Sequence, residues 1–140
     1  MTDGLPFSIL IVEDDEDDRV IIDEAFAIIG YNMEVKKFVD GKGLFHYLDS
    51  IDEDLYPSLI VLDNTLPELE ATDILSMLKA NALYQSIPVV VYTTLISEAK
   101  EQQLLSMGAY ACFEKGNTMQ EIISVAKELK RLSQSNLQEP

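Results

Sequence analysis

Along this chain, short unbroken apolar runs alternate with longer stretches of helical period. The runs Ser8–Val12, Leu59–Leu62 and Pro88–Tyr92 are rich in β-branched residues, so they read as strands covered on both faces. Glu34–Val39 and Tyr110–Phe113 are shorter on apolar content but fall at the same intervals. Between them, Asp17–Ile29 places Ile22, Phe26 and Ile29 on one stripe. Gly43–Ile51 does the same with Leu44, Tyr47, Leu48 and Ile51, and Thr72–Ala80 with Ile74, Leu75 and Leu78. Ser97–Met107 offers Leu104 and Leu105 behind a Ser97 cap. In Met119–Leu132 the residues Ile122, Val125, Ala126, Leu129 and Leu132 recur at the helical period. Thr118 and Glu121 have the spacing of a capping box. Five strand–helix pairs in strict alternation predict an α/β fold, a parallel sheet with helices on both faces. No linker or internal repeat divides the chain. It reads as one domain, 1–140, with a core of about 7–132 and a polar tail Ser133–Pro140.

Composition narrows the functions such a domain can have. The 140 residues are 47% apolar, enough for a core without disulfides or metal staples, and too apolar for a disordered acidic chain. The formal net charge is −15, and it is lopsided: residues 1–70 carry −14 and residues 71–140 carry −1. That argues against nucleic acid and anionic membranes as partners, since both need a basic footprint. It favours a cation or a basic protein surface. Cys112 is the single cysteine, so no internal disulfide forms and nothing demands an oxidising compartment. Met1–Phe7 lacks the pattern of a secretory signal, and no apolar run is long enough for a bilayer. A soluble cytoplasmic protein is the expectation.

In open α/β sheets, ligands bind at the carboxyl ends of the strands, where strand order reverses. The residues that follow the predicted strands are Glu13 and Asp14, Asp63, Thr93 and Thr94, and Lys115. Three carboxylates in one crevice repel, and at least one pKa rises unless a cation intervenes. Magnesium suits such a crevice: it takes oxygen ligands, usually only one or two carboxylates, and leaves positions open for phosphoryl oxygens. Asp14 and Asp63 could bind it directly and Glu13 through water. With the Lys115 ammonium and the Thr93 hydroxyl alongside, the set is what phosphoryl transfer requires, and Asp63 is the candidate nucleophile.

The residues themselves resemble a known family. Ile9-Leu10-Ile11-Val12-Glu13-Asp14-Asp15 and Leu59-Ile60-Val61-Leu62-Asp63-Asn64-Thr65-Leu66-Pro67 are followed by Ile87-Pro88-Val89-Val90-Val91-Tyr92-Thr93-Thr94. Gly108-Ala109 then leads to Lys115. Over roughly residues 7–132 this is similar to the receiver domains of response regulators, the CheY-like superfamily. The resemblance implies a flavodoxin-like, doubly wound sheet in the order 2-1-3-4-5. It implies that Asp63 accepts a phosphoryl group from a phosphohistidine on a sensor histidine kinase or histidine phosphotransfer protein. Glu13, Asp14, Asp63 and the Thr65 carbonyl would hold Mg²⁺. Thr93 would reorient toward the phosphoryl group and Lys115 would pair with it. The change would bias the surface of the fourth helix, fifth strand and fifth helix toward a downstream protein. A homodimer through the last helices stays open. On this reading the chain is a signalling phosphoacceptor rather than an enzyme, catalysing only its own phosphorylation and dephosphorylation. Its length would leave no room for an output domain.

Three positions depart from the family pattern. Gly116 follows Lys115 where the family commonly has a proline after a cis bond, and a non-proline cis bond costs about 3–4 kcal/mol. Cys112, beside Phe113, stands where an aromatic switch residue is usual, so the coupling of the threonine to a rotating ring does not carry over. Ala71 stands where glycine is common. In related receivers, the positions of Thr65 and Leu95 tune the lifetime of the phosphorylated state.

Other readings compete less well. A flavin- or nucleotide-binding domain needs amides and hydroxyls after the first strand, whereas Glu13–Asp18 presents six anions. An aspartate-based phosphatase needs a titratable acid two residues after its nucleophile, and that position is Thr65. A receiver-like module that works without phosphorylation remains the alternative, kept alive by Cys112 and Gly116. Asp15–Asp18 read as a solvated helix start, His46 as a partly exposed helix residue and Cys112 as a small buried hydrophobe.

Overall fold

The computed structural model describes residues 8–31, 34–64, 66 and 69–135. Its strands are β1 (Ile9–Val12), β2 (Val35–Phe38), β3 (Leu59–Leu62), β4 (Val89–Thr93) and β5 (Ala111–Glu114). The helices are α1 (Glu16–Ile28), α2 (Gly41–Ser50), α3 (Ala71–Ala80), α4 (Glu98–Ser106) and α5 (Met119–Ser133). All strand pairs are parallel, in the order β2-β1-β3-β4-β5. The expected sheet is therefore the observed one.

Side chains alternate across the pleat, so each central strand feeds two cores. Leu10, Val12, Ile60, Leu62, Val89 and Val91 face one side and pack with Leu44, Leu48, Ile74, Leu75, Leu78 and Leu104 from α2, α3 and α4. Ile9, Ile11, Leu59, Val61, Val90 and Tyr92 face the other and pack with Ile22, Phe26, Ala126, Leu129 and Leu132 from α1 and α5. This is why β1, β3 and β4 are buried throughout, while the edge strands β2 and β5 are largely half-buried.

Helix ends are written in the sequence. The Asp15, Asp40 and Ser97 side chains accept from the amides of Asp18, Gly43 and Lys100, closing the starts of α1, α2 and α4. The Thr118–Glu121 capping box forms as its spacing predicts. After α1, Gly30 takes φ +75°, which lets Gly30 N–H reach the Ala27 carbonyl and Tyr31 N–H reach the Phe26 carbonyl.

Some boundaries differ from the hydrophobic pattern. A short 3-10 turn at Glu53–Leu55, between α2 and β3, carries no apolar periodicity that would mark it in the sequence. Ser133, assigned to the tail by its polarity, is the last residue of α5 and fully buried. Its hydroxyl donates to the Lys130 carbonyl at 2.9 Å and lies 3.4 Å from the Tyr31 hydroxyl, so the core accepts it. Residues 1–7 and 136–140 of the expected domain lie outside the described residues. No described peptide bond is cis, including that between Lys115 and Gly116.

Candidate functional site

Strand register builds the site. Val12 and Leu62 are partners in the β1–β3 ladder, so Glu13 and Asp63 leave the sheet side by side. Asp63 N–H donates to the Val12 carbonyl at 3.1 Å, and Glu13 N–H donates to the Phe38 carbonyl at 2.8 Å. On the far side, Thr93 pairs with Glu114 in the β4–β5 ladder, and the Lys115 amide donates to the Thr93 carbonyl at 2.7 Å. The reversal of strand order falls between β1 and β3, where the switch-point rule puts a ligand.

Lys115 is the hub. Its Nζ donates to Glu13 Oε1 at 2.6 Å, to Asp18 Oδ2 at 2.7 Å and to Asp63 Oδ2 at 3.2 Å. An ammonium has three donors, and these three carboxylates take all of them. Nζ also lies 5.6 Å from the centre of the Tyr92 ring, within reach of its π face. Burial pushes the Lys115 pKa down, but the bonds to Asp18 and Glu13 and the charge of Asp63 outweigh it. The group is held above the ordinary lysine range. Tyr92 is pushed up to about 12, chiefly by burial.

Glu13 is almost fully buried, and both its oxygens are engaged. Oε1 takes the Lys115 ammonium and Oε2 accepts from Asp15 N–H at 3.2 Å. Burial, and then the Asp63 carboxylate beside it, raise its pKa from 4.5 to about 7 even though Lys115 pulls the other way. Arg19 Nη1 donates to the Glu13 carbonyl at 2.7 Å and fixes the turn from β1 into α1.

Glu13, Asp14 and Asp63 each offer an oxygen within 4.8 Å of the others. Asp14 is exposed, while Glu13 and Asp63 are buried. Clustered hard oxygen donors with one open side are the chemistry of a divalent-cation pocket. The structure thus brings together Glu13, Asp14, Asp63 and Lys115, with Thr93 buried at the adjoining strand end. Thr65, predicted to lend its carbonyl, lies outside the described residues, as does Pro67.

One expectation is corrected. Asp18 was grouped with Asp15–Asp17 as a solvated helix start, but its carboxylate reaches across to Lys115, 97 residues away. Arg19 and Tyr92 were also missed. A signal for Asp18 existed: the first turn of a helix that directly follows a functional strand end lies over that same end, so its acids are neighbours of the site. Of the other departures, Cys112 is half-buried on the α4 side of β5, and its thiol is pushed up by burial and by Glu101. His46 is exposed.

Gly116 has a local reason. A Cβ there would lie 2.3 Å from Glu121 Cβ. Glu121 Oε1 accepts from Asn117 N–H at 2.7 Å and from Thr118 N–H at 3.2 Å, so the capping glutamate of α5 occupies the space a side chain at 116 would need.

The chain is similar to known proteins along most of its length. Residues 9–127 match the response regulator receiver domain family. The chain is 28% identical over 127 residues to the probable methanogenesis regulatory protein FilR2 of Methanothrix harundinacea, covering 89% of this chain and 82% of that protein. It is also similar to the crystal structure of the phosphorylated cyanobacterial phytochrome response regulator RcpA, with a TM-score of 0.80 and 27% identity over 93% of this chain and 95% of that one. A response regulator receiver domain from Rhodospirillum rubrum superposes with a TM-score of 0.75 at 26% identity, covering 87% and 89% of the two chains. With its fold, its acidic pocket and its family match in agreement, this chain belongs to the receiver domains of two-component response regulators.

Proposed function

We propose that this receiver accepts a phosphoryl group on Asp63, in a Mg²⁺-dependent reaction, from a phosphohistidine of a sensor kinase or phosphotransfer protein. The observation that carries the reading is the juxtaposition of Asp63 with Lys115, Glu13 and Asp14 at the strand-order switch point. An Asp63 oxygen attacks phosphorus in line. The new P–O bond forms as the P–N bond to the donor imidazole breaks, and the imidazole leaves with the electron pair. Lys115 pairs with a phosphoryl oxygen, and the Thr93 hydroxyl donates to another. Magnesium held by the acidic cluster would supply positive charge that offsets the charge of the transferring group. Glu13 has both oxygens committed within the protein, which favours Asp14 and Asp63 as direct ligands with Glu13 acting through water; the resemblance to receivers adds the Thr65 carbonyl as a further ligand. The receiver signals through protein contacts in the cytoplasm. Asp63, Lys115 and the acidic pair all stand together, which weighs against a module that works without phosphorylation.

The test is incubation with acetyl phosphate and intact-mass analysis. One phosphoryl adduct is expected with Mg²⁺, a trace without it, and none in Asp63→Asn. An adduct that persists in Asp63→Asn sinks the assignment.

Glu13 gives a pH dependence. Its folded pKa of about 7 lies above the ordinary 4.5, so the cation-free fold binds an extra proton between those values. Stability without a cation is therefore highest at the acid end of that window and falls as pH rises through it. A divalent cation competes with that proton, so Mg²⁺ binding is expected to be about ten-fold tighter at pH 8 than at pH 6. A titration followed by tyrosine fluorescence checks this, and equal affinities at the two pH values would contradict it.

A further inference from the structure

We infer that Asp18 is a positioning residue for the phosphoryl transfer: it holds the Lys115 ammonium toward α1 and competes for it with the phosphoryl group on Asp63. This rests on the reading of Asp63 as acceptor and extends it to a residue outside the acceptor, cation and lysine set.

The geometry is specific. The bond from Lys115 to Asp18 is 2.7 Å and that to Asp63 is 3.2 Å, so the ammonium sits nearer the α1 carboxylate than the acceptor. All three ammonium donors are used, so a phosphoryl oxygen beyond Asp63 must displace an existing bond or take the longest one. Asp18 is the partner best placed to be given up. Its side chain is 36% exposed against 5% for Glu13, and it lines an open groove of about 240 Å³ with Ile21, Tyr92 and Gly116. Water can solvate Asp18 when Lys115 leaves, whereas Glu13 would be stranded. Asp18 also places a further negative charge beside the pocket that must receive a dianionic group. Without Asp18, Glu13 and the Tyr92 ring still hold Lys115 over the site.

Asp18→Asn keeps the shape and removes the charge, and Asp18→Ala removes both. Beryllofluoride, which mimics the phosphoryl group on a carboxylate, is titrated with saturating Mg²⁺ and followed by thermal shift. Both variants are expected to half-saturate at about three- to ten-fold lower beryllofluoride than the parent, and the gap should narrow at high salt because it is electrostatic. A merely structural Asp18 would change the melting temperature of the free protein and leave half-saturation where it was. Half-saturation equal to or higher than the parent's in both variants overturns the inference while leaving the acceptor assignment standing. A parent protein that fails to bind beryllofluoride overturns both.

Discussion

Lys115→Ala is expected to destabilise the cation-free protein by about 2–4 kcal/mol near pH 7, because it strands buried carboxylates that share one ammonium. The figure sits below the usual cost of breaking a buried pair because Asp18, the third partner, is partly exposed and can return to water. Two further signs follow. Without the ammonium, which lowers its pKa, Glu13 holds its proton more tightly, so the deficit shrinks as pH falls toward 5. A divalent cation replaces the missing positive charge, so Mg²⁺ is expected to recover more stability in the variant than in the parent. Urea unfolding at pH 5 and pH 7, with and without Mg²⁺, reads all three. A deficit that is independent of both pH and Mg²⁺ would mean that Lys115 is held for packing along its stem rather than for charge.

Gly116→Ala is expected to cost about 2–3 kcal/mol, combining overpacking with loss of the α5 cap. The added methyl would meet Glu121 Cβ at 2.3 Å, far inside contact distance. Rotating the side chain leaves Cβ in place, so relief would require the backbone at Glu121 to shift, which disturbs its bonds to the amides of Asn117 and Thr118. The cost should nearly vanish in a Glu121→Gly background, where the cap is already lost and the colliding atom is absent. Thermal unfolding of the four proteins closes the cycle, and additive losses would contradict the steric account. The residue after the site lysine is thus set by the start of α5, a constraint that a proline ring, which also carries a Cβ, would not meet here.

Much of this was legible in the sequence because the central strands are covered on both faces. Leu59–Leu62 was bounded correctly by composition alone, and the helix from Met119 by its apolar period and capping box. Boundaries slipped where a distant partner decides. Thr93 ends β4 because Glu114 lies opposite it in the ladder, and nothing near Thr93 in the chain says so. α2 begins at Gly41, two residues before the apolar pattern, because Asp40 caps it and Gly41 packs within reach of Ile74. The site showed the same division. Glu13, Asp14, Asp63 and Lys115 each follow a strand, so position alone singles them out as candidates, and the structure brings them together. Asp18 reads as one more acid in a run of six: its place in the first turn of α1 puts it near the site, but no local spacing names Lys115, 97 residues away, as its partner.

The central claim is that the phosphoryl group resides on Asp63 as an acyl phosphate. Borohydride reduction of the acetyl phosphate-treated protein, followed by peptide mass spectrometry, locates it directly, since reduction converts a phosphorylated aspartate to homoserine. Homoserine at position 63, dependent on Mg²⁺, is the predicted result. Homoserine at Asp14 or Asp18, or at no position despite a phosphoryl adduct on the intact protein, would contradict it.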